Sequence, residues 1–254
     1  MDETGDLSPE GRDGTGVAPR RRLFVEGPLS AGAEIVPGEG QAHWLVNVMR
    51  LQPGAEIAVF DGANGEWRAR LAGTRKKPLL EILAPLRPQE AAPDLWLLFA
   101  PIRGARLEFI AEKATELGVG RLVPVITRRT VHPKVNLARL RANAVEAAEQ
   151  CGGLLVPEVA APRPLGDVLA DLGPGRNLLF CDEEGGGPAL EAMRAAGPGP
   201  WAILIGPEGG FDDAERALLA RVKAGIRVSL GRRILRAETA ALAALSLWHA
   251  AFDS

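Results

Sequence analysis

The sequence predicts an α/β protein in which a small β-barrel precedes a larger domain built on a parallel sheet. In the first third of the chain, short strand-like segments alternate with turns rich in Gly, Pro and Asn. After a proline-rich stretch, segments that are apolar throughout alternate with helical segments, which is typical of a parallel sheet with both faces covered. A chain of 254 residues, 46% of them hydrophobic, suits one large domain or two smaller ones.

The barrel is predicted for residues 20–87, after a tail at residues 1–19 whose Gly, Asp, Glu and Pro content predicts disorder. DGANG predicts a hairpin loop, and GEGQAHWLVNVMR predicts a helical insert. PLRPQEAAP predicts a linker to the second domain. The barrel strands are predicted in RLFVEG, AEIVP, GAEIAVFDG, EWRARLAG and LLEILAPL.

The second domain is predicted for residues 92–254. One helix in GARLEFIAEKATELG has a single apolar face and stops at Gly118, and another runs toward EAAEQCGG. A third begins after Asp212, with Glu215 completing a capping box, and is expected to end at Gly225. The last helix is expected to begin near Arg236. The parallel strands are predicted in LWLLFA, RLVPVIT, NLLFCD, WAILIG and IRVSL.

The charge pattern leaves two interpretations open. The formal net charge is −2, yet nine basic and three acidic residues lie between Arg103 and Arg141. This stretch would either meet a phosphate backbone or form the solvated faces of a helix and a loop. Cys151 and Cys181 are too few for a disulfide framework and match no zinc motif, so no metal is expected. No apolar run approaches the length of a membrane helix, and no secretion signal is evident, so a cytoplasmic protein is expected.

Two glycine loops follow predicted strands near the C-terminus. IGPEGGF ends one strand and opens a helix, and LGRRIL repeats this arrangement about twenty residues later. In open α/β sheets, ligands bind where the strands end. Glycines let main-chain groups approach a ligand, although a purely structural turn would also explain GPEGG. Arg236 and Glu238 beside the second loop favour a binding role.

Four motifs in sequence carry a resemblance: KATELGV, EAAEQCG, IGPEGGF and LGRRILRAETAAL. In this order and spacing they resemble the SPOUT methyltransferases. More closely, they resemble the bacterial ribosomal RNA small subunit methyltransferase E family, which methylates N3 of a uridine in 16S rRNA. HWLVNVMRLQPGAEIAVFDGANGEW is similar to the PUA-like barrel of that family.

The resemblance implies a deep trefoil knot in the second domain and a homodimer with active sites at the subunit interface. It also implies that FCDEEGG, IGPEGGF and LGRRIL hold S-adenosylmethionine in a bent shape. We expect Arg236 to stabilise the uracil anion, and Glu208 and Glu238 are the carboxylate candidates to act on its proton. Glu208 could instead stabilise its turn, and Glu238 could instead interact with the helix dipole. The barrel and the basic stretch are expected to bind 16S rRNA or the small ribosomal subunit through His43, Arg50, Arg106, Lys113, Arg128 and Arg129. The expected cofactor-binding residues are Phe180, Ile205, Gly206, Pro207, Gly209, Gly210, Leu230, Gly231, Ile234, Leu235 and Thr239.

Three other functions remain open. A knotted methyltransferase that modifies another base or ribose position would share the cofactor half of the chain. A non-catalytic RNA-binding assembly factor would need only the barrel. A phosphate-binding module is disfavoured, because no Gly-Lys-Ser of the Walker type follows either glycine loop.

Overall fold

A computed structural model describes residues 19–252, which fold around two separate sheets. Residues 1–18 of the predicted tail lie outside this range. No helix within 19–252 is both long and apolar enough to cross a membrane. The strands of the first sheet are β1 (Arg22–Phe24), β2 (Glu34–Ile35), β3 (Glu56–Phe60), β4 (Glu66–Thr74) and β5 (Lys77–Arg87).

The first sheet has the strand order β1-β3-β4-β5-β2 and confirms the predicted barrel strands. Strands β3, β4 and β5 are antiparallel neighbours, and DGANG forms the loop between β3 and β4. The predicted helical insert is also confirmed, as helix α1 (Glu39–His43) followed by a π-helix (Trp44–Val48). Alternate residues of the strands, among them Ile57, Val59 and Leu80, bury one face of the sheet against Leu45 of the insert.

The second sheet confirms the predicted parallel α/β domain. Its strand order is β11-β13-β10-β12-β6-β7-β8, β9 also pairs with β7, and every pair is parallel. The strands are β6 (Leu95–Phe99), β7 (Arg121–Ile126), β8 (Glu158–Val159), β9 (Arg163–Pro164), β10 (Asn177–Cys181), β11 (Gly187–Pro188), β12 (Trp201–Ile205) and β13 (Gly225–Ser229). The helices are α2 (Ala105–Glu116), α3 (Leu137–Cys151), α4 (Leu165–Ala170), α5 (Ala189–Ala196), α6 (Asp213–Leu219) and α7 (Ala237–Phe252).

Helices cover both faces of this sheet. Helices α2, α3, α5 and α7 pack on one face, where Leu97 and Ile203 of the strands are buried. Helices α4 and α6 pack on the other face, where the neighbouring residues Leu98 and Leu204 are buried. Because successive residues of a strand point to opposite faces, the strands must be apolar throughout, as the sequence has them.

The order of the C-terminal strands brings three strand ends together. Strand β13 follows β12 in the chain, yet it lies on the far side of β10. The chain therefore crosses β10 between these two strands, and the carboxyl ends of β13, β10 and β12 lie side by side. The trefoil knot stays a prediction, since strand order alone does not define how the chain is threaded.

Two helix ends test the sequence predictions in opposite ways. Helix α2 ends at Glu116, and Gly118 follows it with a φ of +66°, as predicted. The prediction that Gly225 ends the third helix is wrong, because α6 already ends at Leu219 and Gly225 is the first residue of β13. A Cβ at Gly225 would lie 2.9 Å from the Val222 carbonyl oxygen. Glycine is therefore needed there for the strand to start close to the preceding turn.

A buried ion cluster joins the barrel to the second domain. The Glu66 side chain, only 5% exposed, accepts hydrogen bonds from Arg22 (2.6 Å) and Arg87 (2.8 Å). Arg22 also donates to the carbonyl of Ala148 (2.6 Å), and Arg87 donates to that of Gly152 (2.8 Å). These carbonyls lie at the C-terminal end of α3, where a helix lacks internal donors and favours positive charge. One carboxylate thus holds two arginines of the barrel on α3.

Candidate active site

A cavity of about 390 Å³ lies at the carboxyl ends of β10, β12 and β13. Its volume falls in the range of about 300–1,000 Å³ that is usual for small-molecule sites. Three segments form its walls: residues 181–183 after β10, residues 205–209 after β12, and residues 229–237 after β13, with Ala240 of α7. Because all three strands are parallel, these segments meet at one edge of the sheet.

The glycine turn, residues 206–211, requires its glycines. Gly210 has a φ of +68°, and its N–H donates to the Pro207 carbonyl at 2.9 Å. A Cβ at Gly210 would overlap the Glu183 carboxylate, and a Cβ at Gly206 would lie 3.0 Å from the buried Phe211 ring. The turn therefore packs tightly against its neighbours and leads into α6, whose capping box forms as predicted.

The arginine loop, residues 230–236, offers free main-chain groups to the cavity. Within residues 19–252, the main-chain N–H and C=O groups of Leu230, Ile234 and Leu235 have no hydrogen-bond partner. Leu230 and Leu235 are half-buried, and the Ile234 side chain is 86% exposed. Unpaired donors and acceptors beside apolar side chains suit the edge and face of a planar heterocycle.

Cationic and anionic groups occupy different walls of the cavity. Arg232, Arg233 and Arg236 are exposed, and none has an ion-pair partner within the described part of the chain. Asp182, Glu183 and Glu208 line the cavity from the other two segments. The cavity can therefore hold a ligand that carries both positive and negative groups.

Two further titratable groups near the cavity are poor acid–base candidates. Burial raises the pKa of the Cys181 thiol to about 12, so this thiol stays protonated at neutral pH. The Glu238 carboxylate does not line the cavity, because it faces Arg106 of α2 at 3.7 Å. Of the two carboxylates considered from the sequence, Glu208 and Glu238, Glu208 lines the cavity. The described residues contain no cluster of His, Cys, Asp and Glu suited to a metal ion.

Most of the predicted site residues meet at this cavity. Three predicted cofactor residues do not line it. Phe180 points to the opposite face of the sheet and is buried against α4 and α6, because strand residues alternate between faces. Gly210 lies behind the Glu183 side chain, and Thr239 is exposed on α7. The predicted residues that do line the cavity are Ile205, Gly206, Pro207, Glu208, Gly209, Leu230, Gly231, Ile234, Leu235 and Arg236.

Several lining residues were not named individually as site residues from the sequence, although those in FCDEEGG and LGRRIL belong to loops that the resemblance implies for the cofactor. Arg232 and Arg233 belong to the same glycine loop as Arg236, and their shared loop was the signal that could have identified them. Cys181 is the last residue of β10, where a parallel strand presents its end to the ligand edge. The others are Asp182, Glu183, Ser229, Ala237 and Ala240.

Two of the predicted RNA-binding residues lie beside the glycine turn. The Arg129 guanidinium donates to the Gly209 carbonyl at 2.6 Å. The Arg128 main-chain N–H donates to Glu215 at 2.8 Å, while its side chain is 71% exposed and lies 3.4 Å from Asp212. The loop after β7 is therefore fixed at the rim of the cavity and leaves one guanidinium in solvent.

The other two predicted RNA-binding residues of the basic stretch are paired with carboxylates. Arg106 lies 3.7 Å from Glu238, and Lys113 contacts both Glu112 and Glu116 at 2.7 Å. Both partners of Lys113 belong to its own helix, α2. The positive surplus predicted for this part of the chain is thus partly neutralised by ion pairs.

The barrel candidates His43 and Arg50 flank the π-helix, and both are exposed. His43 Nδ1 lies 3.1 Å from the Asn47 side-chain amide. Arg50 has a φ of +52°, the only positive φ outside glycine within the described residues. A non-glycine residue in this conformation is strained, and strain of this kind clusters at functional sites.

Comparison with known proteins identifies relatives along most of the chain. The RNA methyltransferase domain family matches residues 89–249, and the RNA methyltransferase PUA domain family matches residues 36–83. The ribosomal RNA small subunit methyltransferase E of Synechocystis is 36% identical, over 92% of this chain and 78% of that protein. Its namesake in Rickettsia conorii is 30% identical, over 89% of this chain and 93% of that protein.

Solved structures give the same result for the fold. The ribosomal RNA small subunit methyltransferase E of Neisseria gonorrhoeae, bound to S-adenosylmethionine, is 30% identical with a TM-score of 0.80, over 91% of this chain and 97% of that one. A methyltransferase of Legionella pneumophila in complex with the same cofactor is 28% identical with a TM-score of 0.80, over 92% and 98%. With a parallel α/β domain, a preceding barrel and a cavity at three strand ends, the chain belongs to the RNA methyltransferase family of the ribosomal RNA small subunit methyltransferase E proteins.

Proposed function

We propose that this protein transfers a methyl group from S-adenosylmethionine to N3 of a uridine in 16S rRNA. The observation that carries the proposal is the cavity at the ends of β10, β12 and β13, with free main-chain groups on one wall and unpaired arginines at its mouth. Relatives of this chain that are named as small-subunit rRNA methyltransferases include a structure bound to this cofactor. The protein would act in the cytoplasm, where rRNA is modified.

The residues of the cavity fit this cofactor. The unpaired main-chain groups of Leu230, Ile234 and Leu235 would read the edge of its adenine, and their side chains would pack on the ring. The glycine turn would let the main chain approach its ribose and amino-acid part. When bound, the cofactor supplies an electrophilic methyl group on a positively charged sulfur.

The protein must make uracil N3 nucleophilic, because N3 carries a proton at neutral pH. Arg236, exposed at the cavity and without an anionic partner among the described residues, would stabilise the forming uracil anion through its O2 or O4. Glu208 lines the same cavity and is the carboxylate positioned to accept the proton. Holding N3 in line with the methyl group would convert a two-body encounter into an intramolecular one.

The substitution Arg236→Ala tests this role. We expect kcat to fall by about 100-fold or more, the size of effect seen when one oxyanion-hole donor is removed, with little change in the dissociation constant for S-adenosylhomocysteine. Arg221→Ala removes an exposed arginine that does not line the cavity and should leave both quantities unchanged. Equal losses in turnover and affinity would instead make Arg236 a cofactor ligand.

The RNA would approach over the rim of the cavity, with a splayed-out uridine entering it. Arg128 and Arg129 beside the glycine turn, and Arg106 beside α7, would meet phosphates close to the target, whereas Lys113 is already paired within α2. The barrel, taken as residues 20–87, would hold more distant RNA through His43 and Arg50. The catalytic domain, taken as residues 92–254, would act as a knotted homodimer. Sedimentation equilibrium would measure the mass of this dimer directly.

Calorimetry with S-adenosylhomocysteine separates this proposal from its alternatives. We expect binding at one site per chain. Absence of measurable heat at tens of micromolar protein would exclude the cofactor and favour a non-catalytic RNA-binding protein. If the cofactor product binds but no base of the rRNA gains a methyl group, a ribose-modifying relative becomes the better account.

A further inference from the structure

The acidic loop, residues 182–184, contributes to one wall of the cavity, and one arginine of α6 contacts all three of its carboxylates. Arg216 Nε lies 3.1 Å from Asp182, and its terminal nitrogens lie 3.3 Å from Glu183 and 2.9 Å from Glu184. The Arg216 side chain is only 14% exposed. One guanidinium therefore gathers three consecutive carboxylates that would otherwise repel each other.

Asp182 is the fixed point of this loop. Its carboxylate is completely buried and is bound by Arg216 and also by Arg227 of β13 at 2.9 Å. Its Oδ1 accepts a hydrogen bond from the Glu184 main-chain N–H at 3.2 Å. A buried carboxylate is stable only when it is paired and hydrogen-bonded, so the loop depends on both arginines.

Arg216 also connects two walls of the cavity. It belongs to α6, the helix into which the glycine turn leads, and it holds Glu183, whose carboxylate packs directly against Gly210. Asp182 and Glu183 line the cavity, while Arg216 does not. The wall after β10 and the wall after β12 are therefore locked together from behind by one side chain.

We propose that Arg216 is a positioning residue for the cofactor: it holds the acidic loop against the glycine turn and so keeps the cavity in its binding shape. Counting Asp213 of α6, which lies 3.7 Å from Arg216, four carboxylates face two guanidinium groups, and this negative surplus suits the positively charged sulfur of S-adenosylmethionine. This inference rests on the proposed function.

The substitution Arg216→Ala tests the proposal by calorimetry with S-adenosylhomocysteine and with S-adenosylmethionine. We expect both ligands to bind roughly tenfold more weakly or worse, comparable to the loss of outer-shell partners at bound ions. In steady-state methylation, KM for the cofactor should rise while kcat changes little. Arg221→Ala, an exposed arginine close to α6, is the matched control and should bind both ligands as the wild type does.

The conservative variant Arg216→Lys distinguishes positioning from folding. Lysine keeps the charge but lacks the planar fork that reaches three carboxylates, so it should fold and recover part of the lost affinity. Unchanged affinity in Arg216→Ala would overturn the proposal. Tighter binding of S-adenosylmethionine alone would also overturn it, since the arginine would then act only through its charge. Failure of the wild-type protein to bind either ligand would overturn the proposed function instead.

Discussion

Glu66 is expected to be the most sensitive position at the junction of the two domains. Its carboxylate is 5% exposed and holds Arg22, which is 12% exposed, and Arg87, which is 40% exposed. Replacing Glu66 with Ala removes the carboxylate that Arg22 contacts and leaves its guanidinium buried, with only the weaker attraction of Glu149. Breaking a buried ion pair typically costs about 3–5 kcal/mol. We expect about 3 kcal/mol, at the lower end, because Arg87 is screened by solvent and Arg22 keeps its carbonyl acceptors on α3.

The assay is unfolding in guanidinium chloride, monitored by tryptophan fluorescence. The free energies of unfolding of wild type and variant are compared where their dependence on denaturant has the same slope. Glu149→Gln is the control at the same junction. Burial raises the pKa of Glu149, and the hydrogen bond that its carboxylate accepts from the Phe24 N–H partly offsets this rise. The side-chain oxygen of glutamine can accept the same hydrogen bond. We therefore expect Glu149→Gln to change the free energy of unfolding by less than about 1 kcal/mol. A loss below about 1 kcal/mol for Glu66→Ala would refute the reasoning.

The same reasoning gives a pH dependence. Burial alone would raise the pKa of Glu66, but hydrogen bonds from Arg87 and Arg22 lower it below its ordinary value of 4.5. A depressed pKa in the folded protein stabilises the fold above the unfolded pKa, and this stabilisation is lost as pH falls through the folded value. The difference in free energy of unfolding between wild type and Glu66→Gln should therefore be largest at about pH 6–7 and should shrink as pH falls below about 4.5. A difference that does not vary with pH would contradict the assigned role.

Two smaller predictions concern the cavity. Gly210→Ala should destabilise the fold by about 1–2 kcal/mol or more and weaken S-adenosylhomocysteine binding, because its φ of +68° disfavours alanine and the new Cβ displaces Glu183. Gly173→Ala is the control, because Gly173 has a similar φ of +76° but open space where a Cβ would lie. Equal effects of the two substitutions on ligand binding would contradict the role given to Gly210. A thiol reagent at neutral pH should label Cys151, which is exposed, and spare Cys181, whose pKa burial raises to about 12. Equal labelling rates for the two thiols in the native protein would contradict the raised pKa of Cys181.

Local patterns in the sequence predicted much of the fold. All strands of the first sheet and five of the eight in the second were identified, because apolar periodicity differs between a half-exposed strand and one buried on both faces. The two-residue strands β8, β9 and β11 were missed, since they are too short to show a period. The end of α6 was predicted wrongly. Gly225 is needed because β13 begins close to the preceding turn, and such a close approach leaves no periodic signal in the sequence. The ion cluster around Glu66 was missed for a similar reason, since its partners lie 44 and 21 positions away in the chain.

The site was predicted in outline and missed in detail. Its two glycine loops were recognised because both follow buried strands at the carboxyl edge. Phe180 was placed in the site because it begins FCDEEGG, a loop that the resemblance implies for the cofactor, but its side chain faces the other side of the sheet. Arg216 was missed because α6 reads as an ordinary capped helix, and only the folded chain brings this helix to the loop after β10.

Methylation of rRNA by the purified protein tests the central claim most directly. Small ribosomal subunits that lack the modification, and the corresponding naked rRNA, would each be incubated with the protein and S-adenosylmethionine. Nucleoside mass spectrometry would then identify the product, with Arg236→Ala as the control for contaminating activity. We predict 3-methyluridine in at least one of the two substrates. A different methylated nucleoside, or none from a protein that binds S-adenosylhomocysteine, would contradict the account.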